Sequence, residues 1–263
     1  MDKISLSIEE LIYCFYSEGF FEQGNALKQV YFGDLDDEKM DLLLQISTRS
    51  LLSKSLVSYK NHKFTLVEEL ADIIAILNYS DQSMKVSRHD GEGGEEAVSY
   101  HLRGDRLIQH SLFYDEQVHV FSSVTLDEAS DLVSDFYYIQ GDRETGTNGF
   151  SLSQQEFESM IDSLENNSAL FEQQKYEGSK NDFYQSLKES NGLLNTLLFF
   201  EFNEAKEPEV TTLVLFTNNP ANNWMIEKRE QDFYLIPCNR EMIKMLIEDN
   251  IEVKVKETVS DGK

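Results

Sequence analysis

Three histidines, His101, His110 and His119, are separated by two predicted β-turns, Gly104-Asp105 and Asp115-Glu116. With those turns, the first two lie diagonally on one face of a hairpin and the third joins that face from the next strand. Three imidazoles on one sheet face are a possible zinc ligand set. The competing reading is a half-buried face on which histidine is an ordinary strand residue, and a one-residue slip would disperse the set. No metal is assigned to it. Adjacent acids offer a second chemistry: Glu9-Glu10, Asp36-Asp37 and Glu95-Glu96 have the look of acid–base pairs. In a chain with 48 acidic residues such pairs arise by chance. These sit at helix starts or in loops, where negative charge complements the helix dipole. No G-x-S-x-G, H-E-x-x-H, P-loop or G-x-G-x-x-G string is present. Gly91-Glu92-Gly93-Gly94 is glycine-rich, but the acids around it repel a phosphate. The chain reads as a non-enzyme with no cofactor.

The 48 acidic and 23 basic residues leave a net charge of −25, which repels phosphate backbones and anionic lipid headgroups. Such a surface suits a soluble protein, or one that steers a basic partner to itself. Hydrophobic residues make up 40% of the chain, with 17 Phe and 12 Tyr, enough for a substantial core. Cys14 and Cys238 are expected to be reduced thiols of a cytoplasmic protein. Met1-Asp2-Lys3-Ile4-Ser5 has no basic region followed by an apolar run, so no secretion signal is expected. The longest apolar run, Leu197-Leu198-Phe199-Phe200, is far short of the ~20 residues of a membrane span.

The elements that must position any site follow a programme written twice, over 4–139 and 150–249. Ser7 and Glu10 form a capping box with Leu6 and Leu11 as its hydrophobic staple, and Ile8, Leu11, Ile12 and Phe15 share a helical face. Residues 36–53 carry Met40, Leu43, Leu44 and Leu51 at helical spacing. A short hairpin around Lys60-Asn61 follows, then a capping box at Thr65/Glu68 opening a helix with Leu66, Leu70, Ile73, Ile74 and Leu77 on one face. Helix, helix, hairpin, helix is a winged-helix-like pattern. Its basic residues, Arg49, Lys54, Lys60 and Lys63, stand against Asp34, Asp36, Asp37, Glu38 and Asp41, which argues against DNA. Residues 82–123 alternate as an antiparallel meander, with 90–96 a charged loop. Thr125/Glu128 boxes a helix to about 139. Gly141 to Gly149 is the linker, dividing an N-terminal half, 1–140, from a C-terminal half, 150–263. Ser153/Glu156 with Leu152 and Phe157 repeat the opening box and staple. A helix at 182–190 and strands at 193–203, 209–217 and 222–236 follow, and Asn239 caps a last helix with Met242, Ile243, Leu246 and Ile247 inward. Trp224-Met225 lies in a predicted core strand, or serves as an anchor facing a partner.

This order, with Leu6-Ser7-Ile8-Glu9-Glu10-Leu11 matching an L-T/S-x-E-E-L opening and residues 36–77 matching the helix–wing–helix that follows it, resembles the EspG-like family of type VII secretion substrate chaperones. Few Pro and many Lys, Asn and Phe place the chain as a divergent, Firmicute-type member. The resemblance implies an α+β fold, a central antiparallel sheet flanked by two helical bundles in two pseudo-symmetric halves. It also implies binding of one specific helical secretion substrate, without catalysis. By position it points to the loop 90–96 and the region 181–249, and so to Glu92, Glu95, Glu96, Trp224, Met225, Met242 and Met245 as partner-binding residues. The expected function is a bacterial cytosolic chaperone or adaptor acting through protein–protein interaction, with no nucleic acid or membrane partner. The alternatives are an acidic immunity protein that neutralises a secreted toxin, or a winged-helix transcriptional regulator.

Overall fold

Reciprocal capping boxes set the start of three helices. The Ser7 hydroxyl accepts the Glu10 N–H at 3.4 Å while a Glu10 carboxylate oxygen accepts the Ser7 N–H at 2.8 Å. Ser153 and Glu156 repeat the exchange at 3.3 and 3.0 Å, and Thr125 with Glu128 at 3.2 and 2.7 Å. Each box satisfies two backbone donors that an α-helix leaves unpaired at its start. Thr125→Ala is expected to lower stability by about 1 kcal/mol, read as a lower urea midpoint at unchanged slope.

The structure is a computed structural model that describes residues 3–89, 94–139, 149–165, 176–203, 206–217, 219 and 223–252. In chain order the elements are β1 (Ile4–Ser7), α1 (Ile8–Ser17), α2 (Phe21–Phe32), α3 (Asp37–Ser53), β2 (Val57–Lys60), β3 (Lys63–Leu66), α4 (Glu68–Asn78), β4 (Gln82–His89), β5 (Glu95–Arg103), β6 (Arg106–Phe113), β7 (Val118–Val124) and α5 (Leu126–Phe136). Then come β8 (Phe150–Ser153), α6 (Gln154–Glu165), α7 (Ser179–Glu189), β9 (Leu194–Phe202), β10 (Pro208–Thr217), β11 (Trp224–Arg229), β12 (Asp232–Pro237) and α8 (Arg240–Asn250). Ten strands follow the order β1-β7-β6-β5-β4-β9-β10-β11-β12-β8, and β2-β3 forms a separate hairpin. This is the expected α+β architecture. Two compact units partition the chain: Met1–Asp81 with Tyr100–Val124, and Gln82–Ser99 with Thr125–Glu252.

In the first unit, Leu6, Leu11, Leu51, Leu70, Ile74 and Phe121 form one buried cluster between helices and sheet. Gly24 lets α2 come close to α1, since a Cβ there would stand 3.3 Å from the Tyr16 ring. In the second unit, Leu152, Phe157, Phe183, Leu187, Trp224 and Leu235 do the same.

Four local expectations need correction. β1 and β8 are strands, although the sequence reads both only as staple residues before a helix: Ile4 to Ser7 pair with Phe121 to Val118, and Phe150 to Ser153 with Leu235 to Asp232. The expected box at Thr65 does not form, because Thr65 is still paired with Ser58 in β3, its hydroxyl 3.0 Å from that of Ser58, and α4 starts after Val67 without a side-chain cap. The single strand expected at 222–236 is the hairpin β11–β12, turned at Glu230, which takes φ +55°. Helix α2 is additional. Of the loop 90–96, residues 90–93 lie outside the described residues, as do 141–148 of the linker.

Candidate interaction surface

The three histidines do come together, in the first unit. The register His110↔Phe121 and Leu112↔His119 sets His110 and His119 diagonally, as the turns predict. His110 Nε2 lies 2.8 Å from His119 Nδ1, and the His110 ring centroid is 5.0 Å from that of His119, 6.0 Å from that of His101 and 4.6 Å from that of Phe121. The face they share is core, the same face as Ile108 and Phe121. Burial pushes the pKa values down, to about 4 for His101, about 3 for His110 and about 4 for His119; the neighbouring imidazoles add to the shift at His110, and Glu116 partly opposes it at His119. The stack is therefore neutral at physiological pH. A ring nitrogen that accepts its neighbour's N–H has no lone pair left for a metal. Among the described residues, no group of three or more His, Cys, Asp or Glu side chains is placed to hold a metal ion. Burial likewise holds both thiols protonated, with Cys238 pushed up to about 12 and Cys14 higher still, where the Glu10 carboxylate adds to burial.

The expected partner-binding residues divide. Trp224 is fully buried, its ring 5.6 Å from Phe150 and 5.8 Å from Phe183 in edge-on contact, and Met225 is buried beside it. The anchor reading of this pair gives way to the core reading. Glu92 lies outside the described residues. Glu95 and Glu96 are exposed at the start of β5. Glu96 accepts a hydrogen bond from Arg88 Nε at 2.7 Å. The Arg88 guanidinium stacks on Phe136 at 4.6 Å and Tyr138 at 4.5 Å and donates to the Phe136 carbonyl at 2.6 Å. One cation thus fixes Glu96 to the end of α5.

Helix α8 is fixed to the same α5. Asn239 accepts the Met242 N–H at 2.9 Å to start it. Arg240 bridges to Asp131 at 3.4 Å and to Asp135, and Lys244 to Asp127 at 2.8 Å. Ile243 and Ile247 are fully buried. Helical geometry then turns Met245 outward, 54% exposed, among the acids Glu241, Glu248 and Asp249. Met242 is half-buried. The end of α8 is tied to β10 through Asn250 and Thr212, whose side chains meet at 2.7 Å. On β10, Val210 and Leu213 are 56% and 49% exposed, on the sheet face opposite Thr212 and α8. Sequence reasoning missed both. Their odd spacing in a period-two strand is the trace of the β-bulge between Val210 and Thr212. No helix among the described residues is long and apolar enough to cross a membrane.

A structure of the Mycobacterium tuberculosis type VII secretion system chaperone EspG5, in complex with a PE25-PPE41 dimer, is similar at a TM-score of 0.58 and 10% identity, covering 96% of this chain and 96% of that one. The two share a fold, and the resemblance read from the opening motif and element order is borne out at that level. A Bacillus subtilis (strain 168) protein described as "Uncharacterized protein YfjC" is 31% identical over 253 residues, 94% of this chain and 99% of that protein. The family model described as "Uncharacterised protein YfjC" matches residues 3–247, and the chain belongs to that family.

Proposed function

We propose that the chain is a non-catalytic cytoplasmic chaperone or adaptor that binds one helical substrate of a type VII secretion system and holds it soluble for export. The observation that supports this most is the fold it shares, over 96% of both chains, with the type VII secretion system chaperone EspG5. The client surface in this reading is on the second unit. Met245 on α8 supplies its apolar anchor, Glu241 and Glu248 flank that anchor on the helix, and Glu95 and Glu96 at the start of β5 add further acid. The anchor covers apolar surface on the client's helix. The net charge of −25 keeps the pair dispersed.

Affinity capture of the tagged chain from its native cell, followed by mass spectrometry, is expected to recover one secreted helical protein in near-equal amount. Met245→Asp, at a position 54% exposed, is expected to weaken that capture by about tenfold or more with unchanged thermal unfolding. Recovery of no partner, or undiminished capture by Met245→Asp, would sink the reading. The excess of 48 acidic over 23 basic residues favours one rival, an immunity protein that blocks a basic toxin. That rival requires the captured partner to be a toxin whose activity is abolished in the complex, and binding that weakens steeply with salt.

A further inference from the structure

Helix α3, Asp37–Ser53, carries more exposed apolar surface than a solvated helix needs. Leu42 is 55% exposed and Ile46 53%. Glu38, Leu42, Gln45, Ile46 and Arg49 recur at the spacing of one helical face, and all five are exposed. Beside this stripe, between α3 and the start of α1, lies a groove of about 430 Å³ whose walls include Phe32, Leu35, Leu43 and Ser47. Nothing among the described residues covers stripe or groove.

The charges on the stripe say what fits. Glu38 stands at its N-terminal end and Arg49 at its C-terminal end, and neither has an ion-pair partner among the described residues. The other nearby cations are taken: Lys39 is bound to Asp36 at 2.9 Å and Lys54 to Glu10 at 2.6 Å. An acid at one end, a base at the other and apolar residues between them form a self-complementary pattern. A two-fold axis across the middle of the stripe sets two α3 helices antiparallel, puts each Glu38 opposite the second copy's Arg49, and packs Leu42 and Ile46 of each copy against those of the other. We infer that α3 is the interface of a homodimer, with a second copy of this chain as the occupant of the stripe and groove. This surface is separate from the client residues proposed on the second unit and does not depend on them.

The net charge of −25 on each copy opposes the association, so dimerisation is expected to strengthen as salt screens that repulsion. Sedimentation equilibrium on the full chain near physiological salt is expected to give a reversible monomer–dimer equilibrium. Leu42→Ser with Ile46→Ser is expected to weaken it by about tenfold or more while leaving thermal unfolding of the monomer in place. Charge reversal separates a specific pair from net charge. Glu38→Arg makes the chain less negative, and Arg49→Glu makes it more negative. Paired as inferred, each single reversal weakens the dimer several-fold and the double reversal restores it. A monomer at every concentration overturns the inference, as does a dimer that the serine pair leaves intact. If Glu38→Arg strengthens association while Arg49→Glu weakens it, net charge and not a Glu38–Arg49 pair governs the contact, and the two-fold arrangement is overturned.

Discussion

Lowering the pH from about 7 to about 5 is expected to destabilise the protein steeply through His101, His110 and His119. In the unfolded chain each imidazole binds its proton near pH ~6.5; in the fold it does so only at about 4, 3 and 4. Above the unfolded value neither state carries these protons and the cluster costs nothing. Below it the unfolded state takes up protons that the folded state refuses, and stability falls by roughly 1.4 kcal/mol per pH unit for each histidine. The loss levels off only once pH drops through the folded values. Two effects run the other way: Glu116 favours the proton on His119, and neutralising some of the 48 acidic residues relieves repulsion in the folded state. The measurement is unfolding free energy from urea melts at several pH values, compared between the native chain and His110→Gln. The glutamine keeps a polar group beside His119 but takes up no proton, and is expected to flatten the pH slope by about one third of the histidine contribution. Identical slopes for the two proteins would show that His110 is not held neutral by burial.

Trp224→Ala is expected to cost about 3–5 kcal/mol, the range for emptying a large aromatic site in a core. Trp224 is fully buried and packs edge-on against Phe150 and Phe183. Trp224→Phe is expected to cost far less. The indole Nε1 is buried without a hydrogen-bond partner among the described residues, so the smaller ring removes an unsatisfied donor, worth about 1–3 kcal/mol, against the cavity it opens. Calorimetric unfolding of both variants checks the difference. As the chain's only tryptophan, Trp224 also reports on function. Its emission is expected to be blue-shifted and to stay so when a client binds, since the residue lies beneath the surface and not on it. A large shift on binding would return Trp224 to the interface.

What was legible in the sequence was local chemistry. The boxes at Ser7, Thr125 and Ser153 and the cap at Asn239 each need only residues three apart, and each forms. The histidine face was legible because its register follows from two turns, around Gly104 and Asp115, that take the positive φ angles such turns require. What depended on partners distant in sequence was not. Thr65 and Glu68 have the box spacing, but pairing with Ser58 extends β3 past the point where a helix would start. Helix α2 has no side-chain cap and contains Gly24, so it lacked both signals that mark a helix. The turn of β11–β12 uses Glu230 and Gln231, with no Gly, Pro or Asn to announce it. Among the proposed site residues, Met245 could be placed outward by helical periodicity. The burial of Trp224 depends on Phe150 and Phe183, which no local pattern connects to it.

The outermost strands of the sheet order, β1 and β8, are only four residues long, and each runs straight into a boxed helix. A foreign strand needs a longer run of free backbone N–H and C=O groups to zip onto a sheet. Here each rim offers about one such repeat before the chain turns its backbone groups inward on a helix. The ends of the sheet are therefore poor templates for stacking into fibres, however concentrated the protein becomes. For a molecule proposed to keep sticky cargo dispersed, that geometry blocks growth at both ends of its own sheet.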